Sequence, residues 1–131
     1  MKHSLEQVMR FNHEILGIEP RILGPMQPDE ADHLVRCLDE ETSEFTAAFV
    51  NHDFIGQIDS IMDLMYFAMG GLYKMGLSAE TAEQIFSAIH DANMTKKKGV
   101  VARRDNGSPD AIKPEGWRSP EERIAEILDG A

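Results

Sequence analysis

Between Phe54 and Tyr73 the chain carries only two charged side chains, Asp59 and Asp63, in a run dominated by Ile, Leu, Met, Phe and Tyr. A helix that is apolar on nearly all sides is buried in whatever it folds into. Burying two like charges within it is unfavourable unless a counter-charge meets them. The aspartates are four residues apart, so both project from one face of a helix. Any fold for this chain must bring something to that face.

Punctuation elsewhere is helical. Ser4 followed by Gln7 reads as a capping box opening a first helix that ends near Gly17. Prolines 20 and 25 make residues 18 to 27 an extended connector. Pro28, Asp29 and Glu30 start a long second helix to about Asn51, with acids at the positive end of its dipole. Asp53 caps a third helix from Phe54 to about Met75, stopped by Gly76, and Ser78 begins a fourth through about Thr95. A short last helix opens at Ser119-Pro120-Glu121-Glu122, a capping box with Pro at its first helical position. Short turns at 51 to 53 and 76 to 78 imply antiparallel neighbours, so the expected architecture is an all-α antiparallel bundle of four to five helices. The 131 residues read as a single domain, 1–131, with 97–118 an irregular basic arm. The third helix has more apolar surface than one small subunit covers, which predicts a homodimer or tetramer along it.

Charge narrows the function. Thirteen Lys and Arg against 23 Asp and Glu give −10, which argues against nucleic-acid or anionic-membrane binding. Residues 1–95 hold 5 basic and 16 acidic side chains, 96–118 hold 7 and 3, and 119–131 hold 1 and 4. An acidic body with one basic segment suits a site that holds cations with carboxylates and an anionic substrate with Lys or Arg. The lone Cys37 allows no internal disulfide and fits a reducing cytoplasm. The N-terminus MKHSLEQ has no apolar signal segment, and the ten residues Leu64 to Tyr73 are too few to span a bilayer.

The second helix supplies partners for the aspartates. Glu40, Glu41 and Glu44 lie on one side of it, and Glu44 stands nine residues before Asp53 while Asp63 stands ten after. Antiparallel packing therefore sets the glutamates opposite the aspartates, an oxygen-rich cluster suited to Mg²⁺ or Mn²⁺ rather than zinc.

The run Leu38 to Phe45, with Glu40-Glu41-x-x-Glu44, resembles the E-E-x-x-E signature of the all-α nucleoside triphosphate pyrophosphohydrolases, the MazG-like and phosphoribosyl-ATP pyrophosphohydrolase-like superfamily. Asp59 to Tyr66 resembles its second metal motif, and Ala92-Asn93-Met94-Thr95-Lys96 is similar to the S-N-M-x-K box of a phage and bacterial branch, as is Val8 to Phe11 to that branch's first helix. The likeness covers Gln7 to about Lys96. It departs at Ser60, which stands where the usual E-x-x-D has its acid, leaving Asp59 to take that part.

The resemblance implies hydrolysis of a nucleoside triphosphate to monophosphate and pyrophosphate with two or more Mg²⁺ or Mn²⁺ ions. Glu41, Glu44 and Asp63 are then primary metal ligands, Asp59 a ligand or anchor behind them, and Glu40 a further ligand or the base for the attacking water. Asn93 and Lys96, three residues apart, are expected to reach the sugar and phosphates, with Lys97, Lys98, Arg103 and Arg104 closing over them. Phe11, Asn12 and Trp117 are the candidates for the base, and Asn12 beside Phe11 favours a purine deoxynucleotide, dGTP ahead of dUTP. Two other readings stay open: an HD-type metal phosphohydrolase on His90-Asp91, and a non-enzymatic helical adaptor docking through the third helix.

Overall fold

A computed structural model describes residues 1–99 and 101–131. The chain divides into two compact units, Met1–Ala79 and Glu80–Ala131.

The first unit is built on three helices: α1 (Lys2–Glu14), α2 (Pro28–Val50) and α3 (Phe54–Lys74). α1 begins at Lys2 with Met1 as its N-cap, so Ser4 and Gln7 lie inside the helix and form no capping box. It buries Leu5, Val8 and Asn12, a stripe at helical spacing, in the face it turns to α3. α2 starts with Pro28 at its first turn, where the missing N–H is harmless, and Glu30 reaches back to accept from the Gln27 N–H at 3.3 Å. The Asp53 carboxylate accepts from the Gly56 N–H at 2.9 Å and caps α3 as the sequence predicts.

Three pairs fix the register of α2 on α3. Ala48 packs at Gly56, Glu41 feels Asp63, and Leu34 presses on Gly71, in steps of seven along α2 and seven or eight along α3. These are antiparallel helices meeting along one seam. At Gly71 the approach is close: a Cβ there would stand 3.0 Å from Leu34 Cδ2. The connector folds back on the far end of α3. Tyr73 donates its hydroxyl to the Ile18 carbonyl at 2.7 Å, and the Gly24 N–H donates to Met75 at 3.0 Å. Arg21 pairs with Glu30 and holds its carboxyl below the usual carboxylate range. Gly76 follows the end of α3 at φ +79°, and any Cβ there would meet the Arg21 carbonyl oxygen at 2.7 Å, so both conformation and space demand glycine.

The second unit carries α4 (Ala79–Met94, entering from the first unit by one residue) and α5 (Glu121–Asp129). Between them 97–118 is not wholly irregular. β1 (Val101–Arg103) and β2 (Pro109–Ala111) pair antiparallel, Val101 with Ala111 and Arg103 with Pro109. The turn is closed by Arg104 N–H to Ser108 at 2.8 Å and by the Asn106 side chain accepting from the Ser108 N–H at 3.0 Å. α5 takes Pro120 as its N-cap with no side-chain cap, so the capping box expected at Ser119 does not form; Ser119 bonds the Glu121 carboxylate instead and keeps it acidic. The architecture is thus mostly helical, five helices and one small hairpin. Among the described residues no helix is long and apolar enough to cross a membrane.

Candidate active site

The α2/α3 seam decides what becomes of each acidic side chain. Glu41 lies on it, with 8% of its surface exposed, and its Oε2 has no hydrogen-bond partner. Desolvation pushes its carboxyl up to about 7, helped by a hydrogen bond shared with Glu44 and by the charges of Glu44, Asp63 and Glu40. Glu40 and Glu44 are exposed and Asp63 is half-buried. The four carboxylates therefore share one neighbourhood. They do not close into a tight set: among the described residues no three His, Cys, Asp or Glu side chains converge to hold a metal ion.

Two details of the sequence reading shift. The residue facing Asp63 is Glu41 rather than Glu44, one helical turn nearer the start of α2, because the pairing begins at Ala48 and Gly56 instead of at the turn's centre. Asp59 is exposed, and it is not among the charges that act on Glu41. α3 turns Ser60, Met69, Gly70 and Gly71 inward, and Asp59, one residue from Ser60, is swung about 100° away. It sits among Ile55, Ile58 and Met62, which are 78%, 47% and 59% exposed. Only one of the two aspartates thus needs an internal counter-charge. Ser60, 3% exposed, fills the inward position where the resembling motif carries an acid.

Phe11 and Asn12 come together on the wall of a cavity of about 60 Å³ that Leu34, Tyr66, Phe67 and Gly70 also line. Phe11 meets Tyr66 edge to face at 5.6 Å. Asn12 is 4% exposed, donates its side-chain N–H to the Val8 carbonyl at 3.0 Å and lays its amide group against Gly70.

On the second unit, Asn93 is exposed, whereas Lys96 is engaged. Its amine donates to Asp110 Oδ1 at 3.3 Å and stands 5.4 Å from the centre of the Trp117 ring. Arg104 approaches the same Asp110 oxygen at 3.5 Å, and Arg103 donates to the Gly107 carbonyl. Lys97 and Lys98 are exposed. Trp117 is half-buried as a packing residue, its indole N–H donating to the Ala92 carbonyl at 2.9 Å. Sequence reasoning missed Asp110. The signal was Asn106-Gly107, which marks a hairpin and so sets residues on either side opposite one another. His90 and Asp91 of the alternative HD reading are both exposed on α4.

The helical pair gathers four carboxylates, one of them buried with an oxygen that has no partner, on the mostly helical scaffold the sequence predicts. The sequence profile of the phosphoribosyl-ATP pyrophosphohydrolases matches residues 11–93, from the last turn of α1 to the last turn of α4. The chain belongs to this family, and so to the nucleotide pyrophosphohydrolases. No curated protein matches the chain.

Proposed function

We propose that this chain is a divalent-metal-dependent pyrophosphohydrolase that converts a nucleoside triphosphate to its monophosphate and pyrophosphate. The observation that carries the reading is Glu41 Oε2: a carboxylate oxygen buried with no donor, beside Glu44, Asp63 and Glu40, is the arrangement a cation completes. Glu41, Glu44 and Asp63 are the ligands of two or more Mg²⁺ or Mn²⁺ ions, and Asp59, exposed on the outer face of α3, stands outside the set. Bound cations neutralise phosphate oxygens and make water more acidic. Glu40, exposed and one residue from Glu41, accepts the proton of the attacking water. The water oxygen bonds the α phosphorus as the bridging oxygen to the β phosphorus leaves with pyrophosphate.

Asn93 and Lys96 contact the sugar and phosphates. Phe11 and Asn12 meet the base, which Phe11 stacks on and the Asn12 amide reads in part, with a purine deoxynucleotide, dGTP, ahead of dUTP. The likeness of the Ala92 to Lys96 run to the S-N-M-x-K box supports a role among phage and bacterial enzymes that control nucleotide pools. The outward apolar face of α3, Ile55, Ile58, Ile61, Met62 and Met65, is the surface on which a homodimer or tetramer forms.

The test is pyrophosphate release from each (d)NTP and dUTP, with and without EDTA, beside thermal melting of the metal-free chain titrated with Mg²⁺ or Mn²⁺. Release of orthophosphate, or melting indifferent to both metals, overturns the reading. A stable 14.7 kDa monomer by light scattering at micromolar concentration overturns the assembly.

A further inference from the structure

The basic arm of the second unit keeps its most buried cation occupied. Three donors converge on one oxygen, Asp110 Oδ1: the Lys96 amine at 3.3 Å, the Ala111 N–H at 2.8 Å and Arg104 Nη2 at 3.5 Å. The Lys96 side chain is only 11% exposed and Asp110 27%, while Arg104 is 58% exposed. One carboxylate cannot use this set fully. At 3.5 Å Arg104 meets the same oxygen that Lys96 and the Ala111 N–H already use, a loose ion pair for a planar fork shaped to bind two oxygens. One negative charge meets two positive ones. A phosphate group brings further oxygens and more charge, so it can give Lys96 and Arg104 an oxygen each.

We propose that Lys96, Arg104 and the Ala111 N–H form a phosphate-binding cradle that the protein's own Asp110 occupies until a pyrophosphate or nucleotide polyphosphate displaces it. The inference rests on the reading above that Lys96 contacts substrate phosphate, and adds that this contact is latched in the resting protein. Asp110 lies on β2 opposite Ala102 of β1, and Arg104 opens the turn between the strands. Exchange of Asp110 for phosphate therefore frees the hairpin from Lys96. The Lys96 amine stands 5.4 Å and the Lys113 amine 4.9 Å from the ring centre of Trp117, the only tryptophan of the chain, so the ring senses movement of the Lys96 amine against a second cation, and Lys96→Met separates the two.

The experiment titrates the full chain with inorganic pyrophosphate, and separately with a nucleotide whose α–β bridging oxygen is replaced by methylene, reading Trp117 fluorescence. In the native chain both ligands are expected to change the emission. Asp110→Asn, which keeps the shape and removes the competing charge, should bind pyrophosphate about three- to fivefold more tightly, the scale of one part-exposed ion pair. Lys96→Met should abolish the response. Because Asp110→Asn also loosens the hairpin, Arg104→Gln serves as the second variant: it keeps the Lys96–Asp110 pair and should weaken pyrophosphate binding. A response to the nucleotide analogue alone, unchanged or weaker pyrophosphate binding in Asp110→Asn, or unaltered binding in Arg104→Gln overturns the latch and leaves the pair a structural tie. Turnover fails separately: a chain whose Trp117 answers pyrophosphate but which releases none from any nucleotide keeps the latch and loses the proposed reaction.

Discussion

The two units treat their charges in opposite ways. On the α2/α3 seam four carboxylates stand together, and the buried one has an oxygen with no partner. On the arm, Lys96 and Arg104 share the carboxylate of Asp110, which their charges hold below its usual range. The first arrangement leaves a buried oxygen unmet by the protein alone, and the proposed function assigns that oxygen to cations. In the second, one carboxylate already engages two cations, and under the proposal above a ligand competes with it. Unmet like charge marks a place for a cofactor, and met opposite charge marks a gate or a tie.

The strongest way to break this contrast is to neutralise the seam. Glu41→Gln, Glu44→Gln or Asp63→Asn should each lower pyrophosphate release at least about 100-fold, on the scale of losing a major electrostatic group. His90→Ala should leave the rate near that of the native chain, and steady-state kinetics on the four variants would show the reverse ranking if the HD dipeptide carried the chemistry.

Metal should next show itself in stability. At a concentration 100 times its dissociation constant, a ligand that binds only the folded chain adds about 2.7 kcal/mol, so Mg²⁺ or Mn²⁺ should raise the melting temperature by several degrees. Glu41→Gln should lose most of that rise. An equal rise in the variant would place the cation elsewhere.

Acidity sharpens the comparison, because the two units should respond with opposite sign. The folded chain raises the Glu41 carboxyl from 4.5 to about 7, so it binds this proton more tightly than the unfolded chain does. The stabilisation this gives the metal-free protein is fully present below about pH 4.5 and is lost as pH rises through about 7. Melting curves from pH 5 to 8 in EDTA should fall with pH, and Glu41→Gln should flatten that fall.

The smallest effect belongs to the arm. Asp110 is held below 3.8, first by its hydrogen bond with Lys96, so its contribution is present above pH 3.8 and fades as pH falls through the lower folded value. Trp117 emission should therefore change on acidification below about pH 3.8, and Asp110→Asn should remove that step. An acid transition that persists in the variant would assign the signal to another group.

How far the site was legible follows from range. Asp53 and Gly76 act on neighbours within a turn, and both do what the sequence predicts. Ser4 and Ser119 carry equally good local signals, yet α1 starts from Met1 and α5 from Pro120. Helix ends are settled by a few weak bonds, and packing can move them. Among Glu40, Glu41 and Glu44, neighbours on one helix, spacing gives no way to choose the buried one. The choice depends on register, which Gly56 and Gly71 set by letting Ala48 and Leu34 approach α3 closely. Asp110 lies 14 residues from Lys96, beyond any helical spacing, and only the hairpin turn brings them together.

The sequence by itself determined that this chain forms long helices, that α2 and α3 lie antiparallel, and that acids gather on them while cations gather after α4. Those properties follow from side-chain period, turn residues and charge order, each of which acts locally along the chain. Only the tertiary structure decided that Glu41 is buried without a partner, that Asp59 faces outward, and that Lys96 is held by Asp110. Each of these depends on which residues meet across a seam or a hairpin, and burial, desolvation and ion pairing arise only once those surfaces are in contact.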